Sequence, residues 1–161
     1  MTSRRTFLIG AGALVLAGGA AAQAPAPRFS SVVVDVSHLR AIGASHTADL
    51  VQAVMTEEAR RVFADRAGPG PRLVIRVTAV SMRSWAGGGE GGFPGGGGIG
   101  NDFIEGEALV LGPRHEILAR HPQLFAHPSN SGGAWYDPDN ERRRVALLSR
   151  YFAQWLRRSL G

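Results

Sequence analysis

A glycine-rich tract divides this chain into two halves and limits how they can be connected. Ten of the fourteen residues from 87 to 100 are glycine. Glycine loses more conformational freedom on folding than any other residue, so such a tract rarely packs as regular structure. Strand-like sequence lies on both sides, which predicts a long connection between two strands. A loop of this length is usually either disordered or functional, and the composition favours disorder. If the tract is functional, Trp85, Phe93 and Ile99, which flank or interrupt it, are candidate contacts for a partner.

The same tract contains two matches to G-x-G-x-x-G, the spacing of a dinucleotide-binding loop, which begin at Gly87 and Gly95. That motif needs a helix directly after it, because the helix N-terminus must face the pyrophosphate. A strand pattern follows instead, and Glu90 would repel an anion. A Walker-type phosphate loop needs a lysine, and the chain has none. The sequence therefore argues against a nucleotide site, and we expect no cofactor.

The first 24 residues have the three parts of an export signal. Arg4 and Arg5 form a charged start, and residues 7–17 are apolar. This apolar run is shorter than the ~20 residues that a membrane-spanning helix needs. Ala22 and Ala24 form an A-x-A cleavage site, so we expect residues 1–24 to be removed.

In the run Ser-Arg-Arg-Thr-Phe-Leu, Phe7 and Leu8 follow the arginine pair at the spacing of a twin-arginine export signal, which this segment resembles. The resemblance implies the twin-arginine export machinery as a partner. It also implies a periplasmic mature protein that does not span the membrane. Residues 25–28 contain two prolines and are expected to be a short linker before a single domain at residues 29–161.

Alternation of apolar and polar side chains predicts strands with one buried face. We expect Pro122, which cannot donate to a ladder, to lie on an edge strand or at a bend. The predicted strands occupy residues 29–39, 72–85, 102–112 and 116–126.

Two segments show helical periodicity. Residues 47–66 carry an apolar stripe, and a second stripe that includes Phe152 and Trp155 follows Asp137, which we expect to cap the last helix with Pro138 in its first turn. The resulting order β-α-β-β-β-α has hairpins after one crossover. It predicts an α+β fold, with a mainly antiparallel four-stranded sheet and two helices on one face.

Composition excludes several classes of function. The chain has no cysteine, which rules out disulfides, thiolate metal sites and cysteine nucleophiles. Loss of Arg4 and Arg5 with the export signal removes two positive charges from a formal net charge of +5. What remains is ordinary for one domain, so we expect no nucleic-acid partner, although an anionic surface could still contact the arginines.

The remaining polar motifs do not match a catalytic or metal site. His121 lies six residues after His115, whereas a zinc-protease helix needs a spacing of four. The acidic run that begins at Asp137 lacks the glycine and glutamate of a calcium loop. Glu105 and Glu107 share one face of a strand and could act as an acid–base pair, but such faces are usually solvated. We therefore predict no catalytic residue and no metal ligand.

Trp135 and Tyr136 lie beside two glycines and are further candidate contacts for a partner. The turn "LGPRHEILAR" followed by an amphipathic helix resembles small periplasmic domains such as the N-terminal domain of the Tol–Pal translocation protein and curli-secretion-type lipoproteins. The resemblance concerns layout only. We expect a non-catalytic cell-envelope module that binds a protein or an envelope component. The alternatives are a small periplasmic hydrolase, a small-molecule or metal-binding protein, or a structural protein without a specific ligand.

Overall fold

The computed structural model describes residues 26–82, 100–134 and 136–161. The export signal, with Arg4, Arg5, Phe7, Leu8, Ala22 and Ala24, lies outside the described residues. The secondary-structure elements follow the chain in this order: β1 (Phe29–Asp35), α1 (Ser37–Ala41), α2 (Ser45–Val62), β2 (Ala67–Ser81), β3 (Asn101–Leu111), β4 (Ile117–Pro128) and α3 (Asn140–Ser159), with 3-10 turns at Ala64–Arg66 and Ser129–Gly132.

The four strands form one sheet in the order β1-β2-β3-β4. The α+β class is confirmed, but the sheet is mixed: β1 pairs parallel with β2, whereas β2–β3 and β3–β4 are antiparallel. The parallel pair arises because β1 reaches β2 through a helical crossover, which parallel strands require. The short helix α1 was not predicted, so within the described residues three α-helices rather than two accompany the sheet.

One face of the sheet packs against α2 and α3. Leu73, Ile75 and Val77, which β2 turns to this side, are fully buried, because strand residues two apart share a face. They join residues of both long helices in one apolar cluster, and each such side chain contributes about 1.5–3 kcal/mol by leaving water. Central members of the cluster are Leu73, Ile75, Val77, Val51, Met55, Leu148 and Phe152.

The opposite side of the sheet, here called the open face, carries the alternate residues of each strand. Register places Val33 beside Val74 and Val74 beside Leu109. Val74 and Leu109 are buried, but they lie outside the apolar cluster that includes the helices. The sheet therefore has a second, smaller apolar layer on its open face.

A buried ion pair, here called the clamp, joins the start of β3 to α3. Arg144 donates from Nε to Asp102 Oδ2 over 2.7 Å and from Nη2 to Oδ1 over 2.5 Å. The two side chains are 5% and 1% exposed. Next to the pair, the backbone N–H of Ser129 donates to the carbonyl of Gly100 over 2.8 Å. The clamp therefore fixes the strand where it leaves the glycine-rich tract.

Two details of the last helix differ from prediction. The helix begins at Asn140. Asp137 lies in the turn before the helix, where its carboxylate accepts the backbone N–H of Asp139 and forms an ion pair with Arg143. Trp155 was assigned to the buried stripe but is 45% exposed. Its neighbour Leu156 takes the buried position.

The position of Pro122 agrees with prediction. This proline lies in β4, which is an edge strand of the sheet. Among helices within the described residues, none is long and apolar enough to cross a membrane.

Candidate functional site

Two adjoining cavities of about 520 and 540 Å³ lie beside the turn that joins β3 and β4. Arg72, Leu111 and His115 line both cavities, so the two form one continuous groove. We call it the hairpin groove. Concave sites with an apolar floor and a few polar groups are the usual places for ligands. Its further lining includes Ser31, Val33, Asp35, Arg40, Gly70, Val74, Arg76, Leu109, Ile117 and Leu118.

The floor of the hairpin groove is apolar. Val33, Val74 and Leu109 form one row across three strands, and Leu111 and Ile117 are paired in the next row. The exposure of these apolar side chains differs across the sheet. Leu109, on the inner strand β3, is buried, whereas Ile117, on the edge strand β4, is 45% exposed. An apolar side chain of a ligand would therefore find uncovered carbon surface at the β4 side.

One side of the groove is bounded by a ladder of alternating charges. Register aligns Asp35, Arg76 and Glu107 on neighbouring strands, and the fourth member, Arg120, lies on β4. The ion pairs measure 3.1 Å from Arg76 to Asp35, 3.3 Å from Arg76 to Glu107 and 3.1 Å from Arg120 to Glu107. Because each charge has an opposite neighbour, the ladder is neutral overall.

The pKa of Asp35 in this ladder is lowered by its neighbours. Burial alone would raise the pKa of Asp35. Hydrogen bonds from Ser37, including its backbone N–H at 2.9 Å, and the guanidinium of Arg76 outweigh burial and hold this pKa below its ordinary value of 3.8. Asp35 is therefore ionised near neutral pH and serves to hold Arg76 in place.

Arg72 differs from the arginines of the ladder. Its Nε is buried and has no hydrogen-bond partner among the described residues. Register sets Arg72 between Ser31 and Leu111, neither of which carries a charge. A guanidinium over an apolar floor without a carboxylate next to it is suited to bind a carboxylate from outside.

His115 lies at the tip of the groove in a conformation that few residues adopt. Its N–H donates to the carbonyl of Gly112 over 3.0 Å, and the N–H of Gly112 donates to Glu116 over 2.9 Å, which closes a tight turn. The φ of His115 is 63°, in the left-handed region that favours glycine or asparagine. A histidine at such a position suggests that its side chain, which lines both cavities, has a role.

The candidate acid–base and metal residues do not converge. Glu107 is engaged by two arginines in the ladder, and Glu105 lies on the same open face. His121 and His127 alternate to the opposite face, and His115 lies in the turn before β4, outside the predicted strand at residues 116–126. Among the described residues, no group of three or more histidine, aspartate or glutamate side chains could hold a metal ion.

Of the predicted partner contacts, Tyr136 is 76% exposed. Trp85, Phe93, Ile99 and Trp135 lie outside the described residues.

An aromatic cluster between β4 and α3 was not predicted. The ring of Tyr151 lies 5.4 Å from that of Phe125 and 5.3 Å from that of His127. One turn further along α3, the guanidinium of Arg158 lies 5.0 Å from the ring centre of Trp155. The i, i+4 spacing of Tyr151 and Trp155 was the signal in the sequence, but it did not show that both side chains remain partly exposed.

The sequence matches no protein-family model and shows no significant similarity to a curated protein.

Proposed function

We propose that this chain is an exported cell-envelope module without catalytic activity, whose hairpin groove binds an extended acidic segment of a partner protein. The observation that carries this proposal is Arg72, whose buried Nε has no hydrogen-bond partner in the part of the chain that the structure describes, and which lines a groove with an apolar floor. Export to the periplasm by the twin-arginine machinery is the other half of the proposal, and it is supported by the sequence of residues 1–24.

The dimensions of the groove favour a peptide segment over a compact small molecule. Its lining follows β2 from Gly70 to Arg76, which corresponds to ~20 Å at ~3.3 Å per strand residue. An extended chain advances by ~3.3–3.6 Å per residue, so about six residues would span the hairpin groove. Alternate side chains of such a segment point to one side, which would let apolar ones cover Val74 and Ile117.

The charges around the groove favour an acidic segment. Asp35 and Glu107 are neutralised within the ladder, whereas Arg72 has no acidic partner among the described residues. The turn itself adds no net charge, because the charge of Arg114 is offset by Glu116, whose carboxylate accepts the backbone N–H of Arg114 over 2.8 Å. A carboxylate from the partner would supply the charge-assisted hydrogen bond that Arg72 lacks, which is typically worth about 1.5–3 kcal/mol.

The arrangement gives less support to a hydrolase. Glu107, the carboxylate nearest to the groove on β3, accepts hydrogen bonds from two guanidinium groups, so it is poorly placed to take a proton from water. His121 and His127 would have to act from the other face of the sheet. A general base and a second catalytic group would then lack a common reaction centre.

Peptide binding can be tested by fluorescence anisotropy on the chain without residues 1–24. The probe is a labelled six-residue peptide of alternating valine and glutamate, with the valine–glutamine peptide as control. We expect Arg72→Gln to weaken binding of the acidic peptide about tenfold or more. The matched control Arg60→Gln removes an equal charge from an exposed position on α2 and should leave binding unchanged. Equal affinity for both peptides, or no effect of Arg72→Gln, would contradict the proposal.

The partner itself can be sought by photo-crosslinking in intact cells, followed by mass spectrometry. Leu118 is exposed and lines the groove. We expect a photoreactive residue at this position to crosslink to the same envelope protein in repeated experiments, and the crosslinked peptide of that protein to be acidic. The same residue at Ile42, exposed at the end of α1 and not part of the groove lining, is the control. Capture that persists after Arg72→Gln would show that the partner binds elsewhere.

Export is tested separately. Replacement of both Arg4 and Arg5 by lysine keeps the charge but removes the arginine pair, so we expect the precursor to accumulate in the cytoplasm. Fractionation and immunoblotting give the readout. Normal secretion of this double variant would exclude the twin-arginine pathway.

A further inference from the structure

The last turns of α2 and α3 meet at a cluster of arginines that is separate from the hairpin groove. A cavity of about 340 Å³ lies there, lined by Arg66, Gln154, Arg157, Arg158 and Gly161. Three of these five residues carry a guanidinium group. We call this cavity the arginine pocket.

Arg66 is the most informative member of the pocket. It is only 8% exposed, and its Nη2 donates to a main-chain oxygen of Gly161 over 2.5 Å. Nε and Nη1 are buried and have no hydrogen-bond partner among the described residues. A buried donor without an acceptor is costly, and more so on a charged group, so these two positions call for an acceptor that the described part of the chain does not provide.

The neighbouring charges make an anion a better acceptor than water. Arg157 binds both oxygens of Asp65, at 2.6 and 2.7 Å, and also donates to the carbonyl of Val62. Asp65 is therefore engaged by Arg157, and Arg158 has no carboxylate partner among the described ion pairs. Burial and, to a smaller extent, repulsion from Arg157 lower the pKa of Arg66, and the carboxylate of Asp65, which is itself held by Arg157, only partly offsets them.

The helix termini oppose anion binding, because the C-terminal end of a helix carries partial negative charge. Two of the pocket's arginines offset this effect directly. Arg157 donates to the Val62 carbonyl at the end of α2, and Arg66 donates to Gly161 just after α3. Nε and Nη1 of Arg66 and the guanidinium of Arg158 are not used in these two hydrogen bonds to main-chain oxygens.

We propose that the arginine pocket binds a phosphate group. Phosphate offers several oxygens to guanidinium groups that approach from different directions, and arginine matches this geometry by donating in a fork. Arg66 would supply the buried contact and Arg158 the exposed one. The ring of Trp155 lies 5.0 Å from the guanidinium of Arg158 and helps to hold it. A free phosphate and the headgroup of an anionic lipid present the same chemistry.

Isothermal titration with inorganic phosphate tests the site directly on the chain without residues 1–24. We expect Arg66→Gln and Arg158→Gln each to weaken phosphate binding about tenfold, the usual effect of losing one charge-assisted hydrogen bond. Arg142→Gln, on an exposed position of the same helix, is the matched control. Because Arg158 is exposed, its variant remains informative even if the buried Arg66 variant fails to fold.

A second arm separates the two sources of phosphate. Sedimentation with phosphatidylglycerol–phosphatidylcholine vesicles, compared with pure phosphatidylcholine, measures lipid binding. Binding of inorganic phosphate alone, lost in Arg158→Gln, supports a free phosphate. Binding of anionic vesicles that is lost in Arg158→Gln but not in Arg142→Gln supports a headgroup. If neither ligand binds, or if both pocket variants bind as the control does, the proposal is wrong.

Discussion

The clamp between Asp102 and Arg144 allows a quantitative test of what holds the sheet to α3. The perturbation is Asp102→Asn, which keeps the shape of the side chain and removes its charge. Both partners are almost fully buried and are joined by two short hydrogen bonds. Arg144 would therefore keep its charge in a site that excludes water and loses its compensating carboxylate. Breaking a buried pair in this way costs about 3–5 kcal/mol.

That loss is large for a domain whose total stability is about 5–15 kcal/mol. We expect the melting temperature to fall by about 10–20 °C. Urea denaturation followed by circular dichroism gives the free energy of unfolding, with the slope of the transition as a check that unfolding remains two-state. Asp49→Asn is the matched control, because Asp49 pairs with Arg40 at 2.8 Å while 70% exposed. An exposed pair contributes about 0–1 kcal/mol.

A double variant separates the charge from the packing. Asp102→Leu with Arg144→Met removes both charges, and buried pairs replaced by apolar side chains often lose little stability. We expect this variant to unfold at a higher urea concentration than Asp102→Asn. If Asp102→Asn costs less than about 1 kcal/mol, or no more than Asp49→Asn, the pair does not hold the sheet to the helix.

Three further outcomes follow from the sheet. The pKa of Asp35 is lowered in the folded chain, so the contribution of Asp35 to stability is complete above pH ~4 and is lost as the pH falls through the folded pKa. The urea midpoints at pH 5 and pH 3 should therefore differ less in Asp35→Asn than in the unmodified chain. His115→Gly relieves a left-handed conformation and should raise the free energy of unfolding by about 0.5–1 kcal/mol, while acidic peptides bind less tightly; a loss of stability would show that the turn depends on the imidazole. Gly106→Ala would place a Cβ 2.0 Å from the backbone oxygen of Arg76, so we expect a loss of about 2 kcal/mol or more in the same urea assay, and a neutral effect would mean that β2 can shift.

The elements of the fold could be predicted because their signals are local. Alternation in β1 and β2 follows from the two faces of a strand, and burial of Val34, Ile75 and Val77 agrees with it. The helix start was misplaced because Asp137 can cap a helix or close a turn, and its sequence does not distinguish these. The parallel pairing of β1 with β2 depends on where the crossover returns, which periodicity does not contain.

The candidate sites could not be predicted because they depend on register and on packing across the chain. The ladder needs Asp35, Arg76 and Glu107 to be aligned on three strands, and one residue of slippage would move each to the other face. Arg66 is the last residue of the predicted helical segment 47–66, and its sequence context gave no sign of burial. Only its contact with Gly161, 95 positions away in sequence, shows that it is buried.

The clamp also has a consequence for the length of the segment between Met82 and Gly100. Strand β3 is secured at its first residues by Asp102 and by the bond from Ser129 to Gly100, and both attachments lie within the described residues. We expect these two attachments to align the sheet, so that changing the number of residues between Met82 and Gly100 alters the free energy of unfolding mainly through chain-closure entropy, about 0.6 kcal/mol for each doubling of length. Insertion of a tag or a recognition sequence between these two residues would test whether the attachments are sufficient.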